Sequence, residues 1–490
     1  MPELEPPTPE PGAAAPAAPG PAAPGQAASR RAALDPNEAR AIYRLDHWRE
    51  CPDCGLLSSL PDMQPGLVAE CPRCGKTLWR MLRSPFSFPI ACGLAATLFY
   101  AFALAAPFLE ISAYGRFQLA RLETGPDALM SQGFVTLGML VMAVTAILPG
   151  IKLGIMLVTL IGLETGFVPP RLSVALFRWY TRITPWSMID VYLLGFLVAY
   201  TRLTAIAHVN LDTSLYALIG LMISMAAADG ALDHEAVWRA LERAELASDM
   251  RYIRRHPEAA GDTPGTLEAR HPNVIGCHTC HLVNHAAPGD QCLRCHTPLH
   301  PRKRNVISRS WALVIAAVCL YLPANIYPVM AITQLANTQN FTIFGGIKEL
   351  IDYGLWPLAA LVFLASITIP LAKLVTLGYL LVQTQRGKAT HLHFRTRAFR
   401  IIDFIGRWSM IDIFMISILV ALVRFEQFAH INALVGAPCF AAVVVLTMFA
   451  VVTFDPRLMW DAQRAPAQAT PAHTADTASD SALGAKDATV

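Results

Sequence analysis

The chain has 490 residues, of which 54% are hydrophobic and only 15% charged, and its formal net charge is +3. Soluble chains usually carry about a quarter charged residues, so a string of water-soluble domains is excluded, and no nucleic-acid partner is expected. No Gly-x-x-x-x-Gly-Lys-Ser/Thr loop, nucleophile motif or catalytic metal triad occurs, which leaves no recognisable ATP site and speaks against an enzyme.

Residues 1–34 are rich in Pro and Ala, with no Lys or Arg before Arg30 and no apolar stretch, so they read as a disordered tail and not a cleaved signal peptide. Residues 35–83 hold Cys51-Pro-Asp-Cys54 and Cys71-Pro-Arg-Cys74. A Cys-x-x-Cys turn presents two thiolates on one side of a tight loop, and two such turns complete a tetrahedron around Zn²⁺. Gly55 and Gly75, each directly after a pair, suit the positive φ that such turns need. Residues 84–232 carry four apolar stretches, at about 86–109, 132–163, 185–207 and 214–231, each long enough to cross a bilayer of about 30 Å. Pro149 falls inside the second and predicts a kink.

Residues 233–270 read as a linker, and residues 271–305 as a second four-cysteine unit built on Cys277, Cys280, Cys292 and Cys295. Both of its pairs are followed by histidine, His281 and His296, so they also satisfy the Cys-x-x-Cys-His pattern of c-type haem attachment. An iron or redox-thiol centre stays open there beside zinc. Residues 306–460 supply four more stretches, at about 310–333, 354–383, 409–425 and 433–454, and residues 461–490 a second disordered tail. Cys92, Cys319 and Cys439 read as thiols packed within spans.

The chain repeats itself. Leu148-Pro149-Gly-Ile-Lys152 is answered by Ile369-Pro370-Leu-Ala-Lys373, and Trp186-Ser-Met-Ile-Asp190 recurs as Trp408-Ser-Met-Ile-Asp412, 222 residues on (408 minus 186). The expected fold is therefore an all-α polytopic membrane protein of two tandem four-helix repeats, each preceded by a small zinc-ribbon-like domain with four cysteines. Lys and Arg concentrate in the loops on the side of the cysteines, among them Arg178 and Arg182 in one half and Arg397 and Arg400 in the other. That asymmetry predicts cytoplasmic four-cysteine units and termini.

Charge inside a bilayer is costly and faces a partner or a cavity. Lys152, Asp190, Lys373 and Asp412 meet that description, and a Lys–Asp pair in each half beside a polar cleft is the expectation, with a helix-locking ion pair as the plainer reading. Asn325, between Pro323 and Pro328, predicts a break in the fifth span, either an unwound stretch lining a cavity or a kink satisfied by a neighbouring helix. Ser366, Thr368 and Thr376 make the second half the more polar and the better choice for a substrate or proton pathway.

The knuckle Cys-Pro-x-Cys-Gly, Leu322-Pro-Ala-Asn-Ile-Tyr-Pro328, the Pro-x-x-Lys of the second span and Trp-Ser-Met-Ile-Asp together resemble the paraquat-inducible protein A family, over about Cys51 to Trp460. The resemblance implies a Gram-negative inner-membrane subunit that moves phospholipid or a similar lipophile. It also implies a periplasm-spanning partner with mammalian-cell-entry (MCE) domains. Two other readings stay open: a redox or quinone-linked membrane protein using the cysteines as iron or thiol centres, and a membrane scaffold whose knuckles dock a partner.

Overall fold

The computed structural model describes residues 48–464, apart from 61–62, 114–115, 205–207, 256–273, 335–336, 423 and 426–428. Both expected tails lie outside the described residues. The described residues open with two hairpins, β1 (Trp48–Glu50) with β2 (Leu57–Ser59) and β3 (Val68–Glu70) with β4 (Thr77–Arg80). There follow the first span α1 (Ser87–Ala105), a hairpin of β5 (Leu109–Ala113) and β6 (Arg116–Ala120), and a short helix α2 (Thr124–Ser131). The second span runs from α3 (Val135–Met142) into α4 (Leu148–Thr165), and the third from α5 (Pro170–Ile183) into α6 (Ile189–Leu203). Strand β7 (His208–Leu211), the fourth span α7 (Thr213–Ala231) and α8 (His234–Arg255) complete the half. What reads as a linker therefore begins as a helix.

The second half repeats the order. After β8 (Val274–Gly276) and β9 (Val283–His285) come α9 (Val306–Ile326), β10 (Met330–Gln334), β11 (Asn337–Phe341) and α10 (Ile343–Asp352). Then follow α11 (Trp356–Phe363), α12 (Ile369–Gln385), α13 (Leu392–Ile405) and α14 (Ile411–Leu422). Strands β12 (Arg424–Phe425) and β13 (Ala429–Ala433), the last span α15 (Gly436–Thr453) and α16 (Leu458–Arg464) close the chain.

Eight helices among the described residues are long and apolar enough to cross a membrane, and the second and third of each half run to 30–32 residues. Each second span carries a π turn, Ala143–Ile147 or Leu364–Thr368, that ends two residues before its proline. Proline has no N–H and its ring crowds the carbonyl four residues back, so the chain there inserts an extra residue per turn. Each third span is broken by a 3₁₀ turn, Thr184–Trp186 or Gly406–Met410.

The fold is mostly helical, not all-α. The loops on the far side from the cysteines form antiparallel sheets, β6-β5-β7 in one half and β11-β10-β13-β12 in the other. Their apolar residues made them read as the ends of spans, and this is why the first and fifth spans stop at Ala105 and Ile326 instead of 109 and 333. Gln132 joins the halves there: its amide donates to the Ile431 carbonyl (3.0 Å) and its oxygen accepts from Ala433 N–H (2.8 Å). In the membrane the halves meet through α6 and α14. Gly195 leaves room for Phe414, and Tyr192 stands edge-on to the same ring at 5.6 Å.

Candidate functional site

Each four-cysteine unit converges its sulfurs. Cys51, Cys54, Cys71 and Cys74 have Sγ atoms all within 4.8 Å of one another, as do Cys277, Cys280, Cys292 and Cys295. The cross-pair separations are 3.4 Å (Cys51–Cys74), 3.6 Å (Cys54–Cys71), 3.4 Å (Cys277–Cys295) and 3.5 Å (Cys280–Cys292). A disulfide brings sulfurs to about 2 Å, so none is formed. Four sulfurs at about 2.3 Å from one ion lie a little under 4 Å apart, so both cages fit a single tetrahedral metal. The neighbouring Cys54 thiol and burial together push the Cys51 thiol well up, and a cation is what keeps such a group ionised.

The turns explain the spacing. Gly55 and Gly75 both have φ of +66°, as expected, and the second unit places His281 (φ +58°) and His296 (φ +56°) in the same position. The histidines that suggest haem attachment thus occupy the left-handed residue of the turn. Neighbours orient the sulfurs: Arg400 Nη2 donates to Cys74 Sγ (3.2 Å), Asn284 Nδ2 lies 3.7 Å from Cys292 Sγ, and the Thr297 hydroxyl lies 2.9 Å from Cys295 Sγ.

The two units seat largely crosswise, although Arg49 and Trp79 of the first also reach Glu235 and Asp233 of the first half. The first packs on the second half: Arg400 of α13 pairs with Asp53 (2.5 Å), Arg457 with Glu50 (2.9 Å), and the Arg73 guanidinium lies 5.2 Å from the Trp460 ring. The second packs on α8 of the first half, where Arg294 pairs with Glu235 (3.0 Å) and Glu242 (3.1 Å). Glu50 ties the units together by also accepting from Gly276 N–H (3.2 Å) and pairing with Arg302 (3.3 Å). Burial opposes charge on Arg294, yet Glu235 and Glu242 hold its pKa above the ordinary value. Burial likewise pushes the Asp455 carboxyl up, but the bonds from Arg457 outweigh it and leave it below its usual range.

Within the spans both lysines are buried, Lys152 at 2% exposure and Lys373 at 1%. The expected pairing with Asp190 and Asp412 does not occur. Lys152 pairs with Asp229 near the end of α7 (2.5 Å), and the Tyr180 hydroxyl donates to the same carboxylate (3.0 Å). Lys373 meets no carboxylate among the described residues: it donates to the Gly406 carbonyl (2.7 Å), the Ser409 hydroxyl (3.0 Å) and the Thr447 hydroxyl (3.4 Å). The reason lies in the broken third spans. Asp190 and Asp412 begin α6 and α14 just beyond the 3₁₀ turns, so the carbonyl and serine of the turn itself come nearest to Lys373. Asp190 is exposed, and Asp412 is buried at 4%.

Other expected site residues lie apart from Lys373. Ser366 and Thr368 sit in the π turn and donate to their own helix, at Val362 (2.6 Å) and Phe363 (3.4 Å). The fifth span is not broken at Asn325. Helix α9 carries Pro323 within it and runs on to Ile326, and the half-buried Asn325 amide donates back to the Tyr321 carbonyl (2.8 Å). Sequence reading missed Asp229, Tyr180 and Thr447. Asp229 had a signal, an acid one turn from the end of an apolar span; Thr447 had none.

A family model described as paraquat-inducible protein A matches residues 87–242 and again 307–464. The intermembrane transport protein PqiA of Escherichia coli (strain K12) is 31% identical over 418 residues, which cover 84% of this chain and 95% of that protein. The lipophilic envelope-spanning tunnel protein A of the same organism is 29% identical over 423 residues, 85% of this chain and 91% of the relative. A probable intermembrane transport protein of Haemophilus influenzae is 25% identical over 419 residues, 84% and 95% respectively. No solved structure matches.

Proposed function

For a chain that belongs to the paraquat-inducible protein A family, we propose the role of an inner-membrane subunit in an intermembrane lipid transport system. In this reading it takes phospholipid or a similar lipophile within the bilayer and exchanges it with a periplasm-spanning MCE-domain partner, without a chemical step of its own. The four-cysteine units, each preceding one of two tandem repeats as a zinc-ribbon-like domain, face the cytoplasm with both termini and hold one Zn²⁺ each. Four thiolates leave no open coordination position, so the metal's role there is structural. The relatives' names support transport between membranes, and the loop charges support the orientation.

The observation that carries the reading is Lys373. A buried ammonium held only by neutral oxygens, at the junction of three spans of one half, contributes little to stability, and intramembrane charges of this kind mark transport pathways. The neighbouring π turn points the same way, since such turns concentrate at functional sites. The test is transfer of a fluorescent phospholipid from proteoliposomes containing the chain and its co-purified partner to acceptor vesicles. Transfer that needs the chain and is abolished by Lys373→Ala, with metal content intact, is the expected result. Transfer indifferent to the chain overturns the proposal, and a coloured, iron-bearing preparation turns it to the redox reading.

A further inference from the structure

Between the two four-cysteine units and the ends of the spans lies a cavity of about 770 Å³. Its base is the end of α5, at Arg178 and Arg182, with Thr184 of the turn that breaks the third span, and β4 and the turn at Thr279 wall it. Arg49, Arg80, Arg178, Arg182 and Lys303 line it against two carboxylates, Asp233 and Glu235. Glu235 is engaged, whereas Asp233 is engaged through one oxygen only, its Oδ2 being buried without a hydrogen-bond partner among the described residues. Glu235 pairs with Arg49 (2.5 Å), Arg239 (2.9 Å) and Arg294 (3.0 Å), and Asp233 accepts from Trp79 Nε1 (3.3 Å) and Ala236 N–H (3.1 Å). Lys303 is spent on the Val452 and Phe454 carbonyls, at 2.6 and 3.4 Å.

That leaves Arg80, Arg178 and Arg182 without a carboxylate in ion-pair reach among the described residues; Arg182 does stack on Trp179, at 5.6 Å. Three guanidiniums lining one cavity repel each other and concentrate anions, and arginine forks suit phosphate. A second cavity of about 560 Å³ adjoins the first and shares Arg80, Leu82 and Gly230 with it. It continues onto the spans themselves through Phe88 of α1 and Ala227 and Ala231 of α7. Arg83 and Ser84 also line it; a soluble anion gains nothing from its apolar part, whereas an acyl chain buries its methylenes there.

We propose that this pair of cavities binds a membrane phospholipid, its phosphate headgroup among Arg80, Arg178 and Arg182 and one acyl chain along α1 and α7. The inference rests on the lipid reading above and adds to it a headgroup site on the face that carries the four-cysteine units, far along the chain from Lys373. It makes the two units the walls of the site.

The test is equilibrium binding of short-chain dihexanoyl-phosphatidylglycerol to the purified full chain in a maltoside detergent. The wild-type chain is expected to bind it. At about 1 kcal/mol for each basic residue near an anionic lipid, Arg178→Ala with Arg182→Ala weakens binding roughly 30-fold. Arg178→Lys with Arg182→Lys keeps most of it, and Arg386→Ala with Lys388→Ala, in a different loop, changes nothing. Should the double alanine variant lose its metal, the single Arg178→Gln and Arg182→Gln variants decide, each weakening binding roughly fivefold. Equal binding by wild type and folded variants, or none by the wild type, overturns the site. Inorganic phosphate alone displacing the lipid mole for mole makes it a site for the free ion and overturns the lipid part. Vesicle transfer that survives loss of this binding sinks the cavity and leaves the transport reading standing.

Discussion

Lys152 and Lys373 hold the same place in their halves, three residues past a proline and just past a π turn, yet different chemistry holds them. The first has a carboxylate, Asp229, itself fixed by Tyr180. The second has a carbonyl and two hydroxyls. At the spacing set by Trp186 and Trp408, Val451 and Ile402 stand where the first half has Asp229 and Tyr180. Conversely Ser409 bonds Lys373, while Ser187, its counterpart in Trp-Ser-Met-Ile-Asp, has a buried hydroxyl with no hydrogen-bond partner among the described residues. The motifs fix where each lysine lies; residues outside any motif decide what it meets. One half has neutralised its charge and the other keeps it bare.

The largest effect separates the four-cysteine units themselves. Cys280→Ser strips one ligand from a cage whose four sulfurs are all buried. Structural metal binding by four thiolates supplies on the order of 10 kcal/mol of folding free energy. Metal analysis is expected to fall from two ions per chain to one, and Arg294 loses the surface that keeps it on Glu235 and Glu242. Under a chelator the first unit is expected to release its metal first, because Cys74 is the one ligand that is only partly buried. Simultaneous release from both cages would mean that the crosswise seating makes them a single cooperative unit.

The lysines give the next effect. Asp229→Asn removes the counter-charge of buried Lys152. Breaking a fully buried pair costs about 3–5 kcal/mol, and since the Asp229 side chain is 34% exposed, about 2 kcal/mol is expected, read as a lowered Tm in detergent. Lys373→Met removes a charge with no counter-ion among the described residues and keeps the side chain's length. The Ser409 and Thr447 hydroxyls retain their own backbone partners, Gly406 O and Val444 O, so stability is expected to stay within about 1 kcal/mol of wild type. If Lys373→Met is as damaging as Asp229→Asn, the distinction between a structural and a working lysine fails.

Repetition and hydropathy made the eight long apolar helices and both four-cysteine clusters legible, because twenty apolar residues in a row and paired Cys-x-x-Cys turns each have one economical physical solution. The partners of Lys152 were not legible. Asp229 lies 77 positions away from Lys152 on a helix whose rotation the sequence does not state. The sheets were hidden for another reason: Leu109-Glu-Ile-Ser-Ala and Met330-Ala-Ile-Thr-Gln are short and apolar enough to pass as the ends of helices. Nor does chain order reveal that the first four-cysteine unit rests on the second half. That follows from Arg400 and Arg457, which carry no motif of their own.

The smallest effect lies in the turns behind the cysteines. If the cage needs a left-handed residue there and not glycine as such, the penalties divide by surroundings. Gly55 and Gly75 share φ +66°, but a Cβ at Gly55 meets Arg302 Nη2 at 3.3 Å and Arg457 Cδ at 3.5 Å, while at Gly75 it meets nothing within 4 Å. Left-handed backbone costs an L-residue about 1–2 kcal/mol, so Gly75→Ala should lose about 1 kcal/mol and Gly55→Ala somewhat more, through the guanidinium that must yield. In the second unit His296→Gly runs the other way: it relieves that strain but frees the unfolded chain by about 0.5–1 kcal/mol. The two terms nearly cancel, and the Tm of the metal-loaded protein should hardly move. A gain of a full kcal/mol or more would show the histidine to be strained for a purpose that the turn alone does not supply.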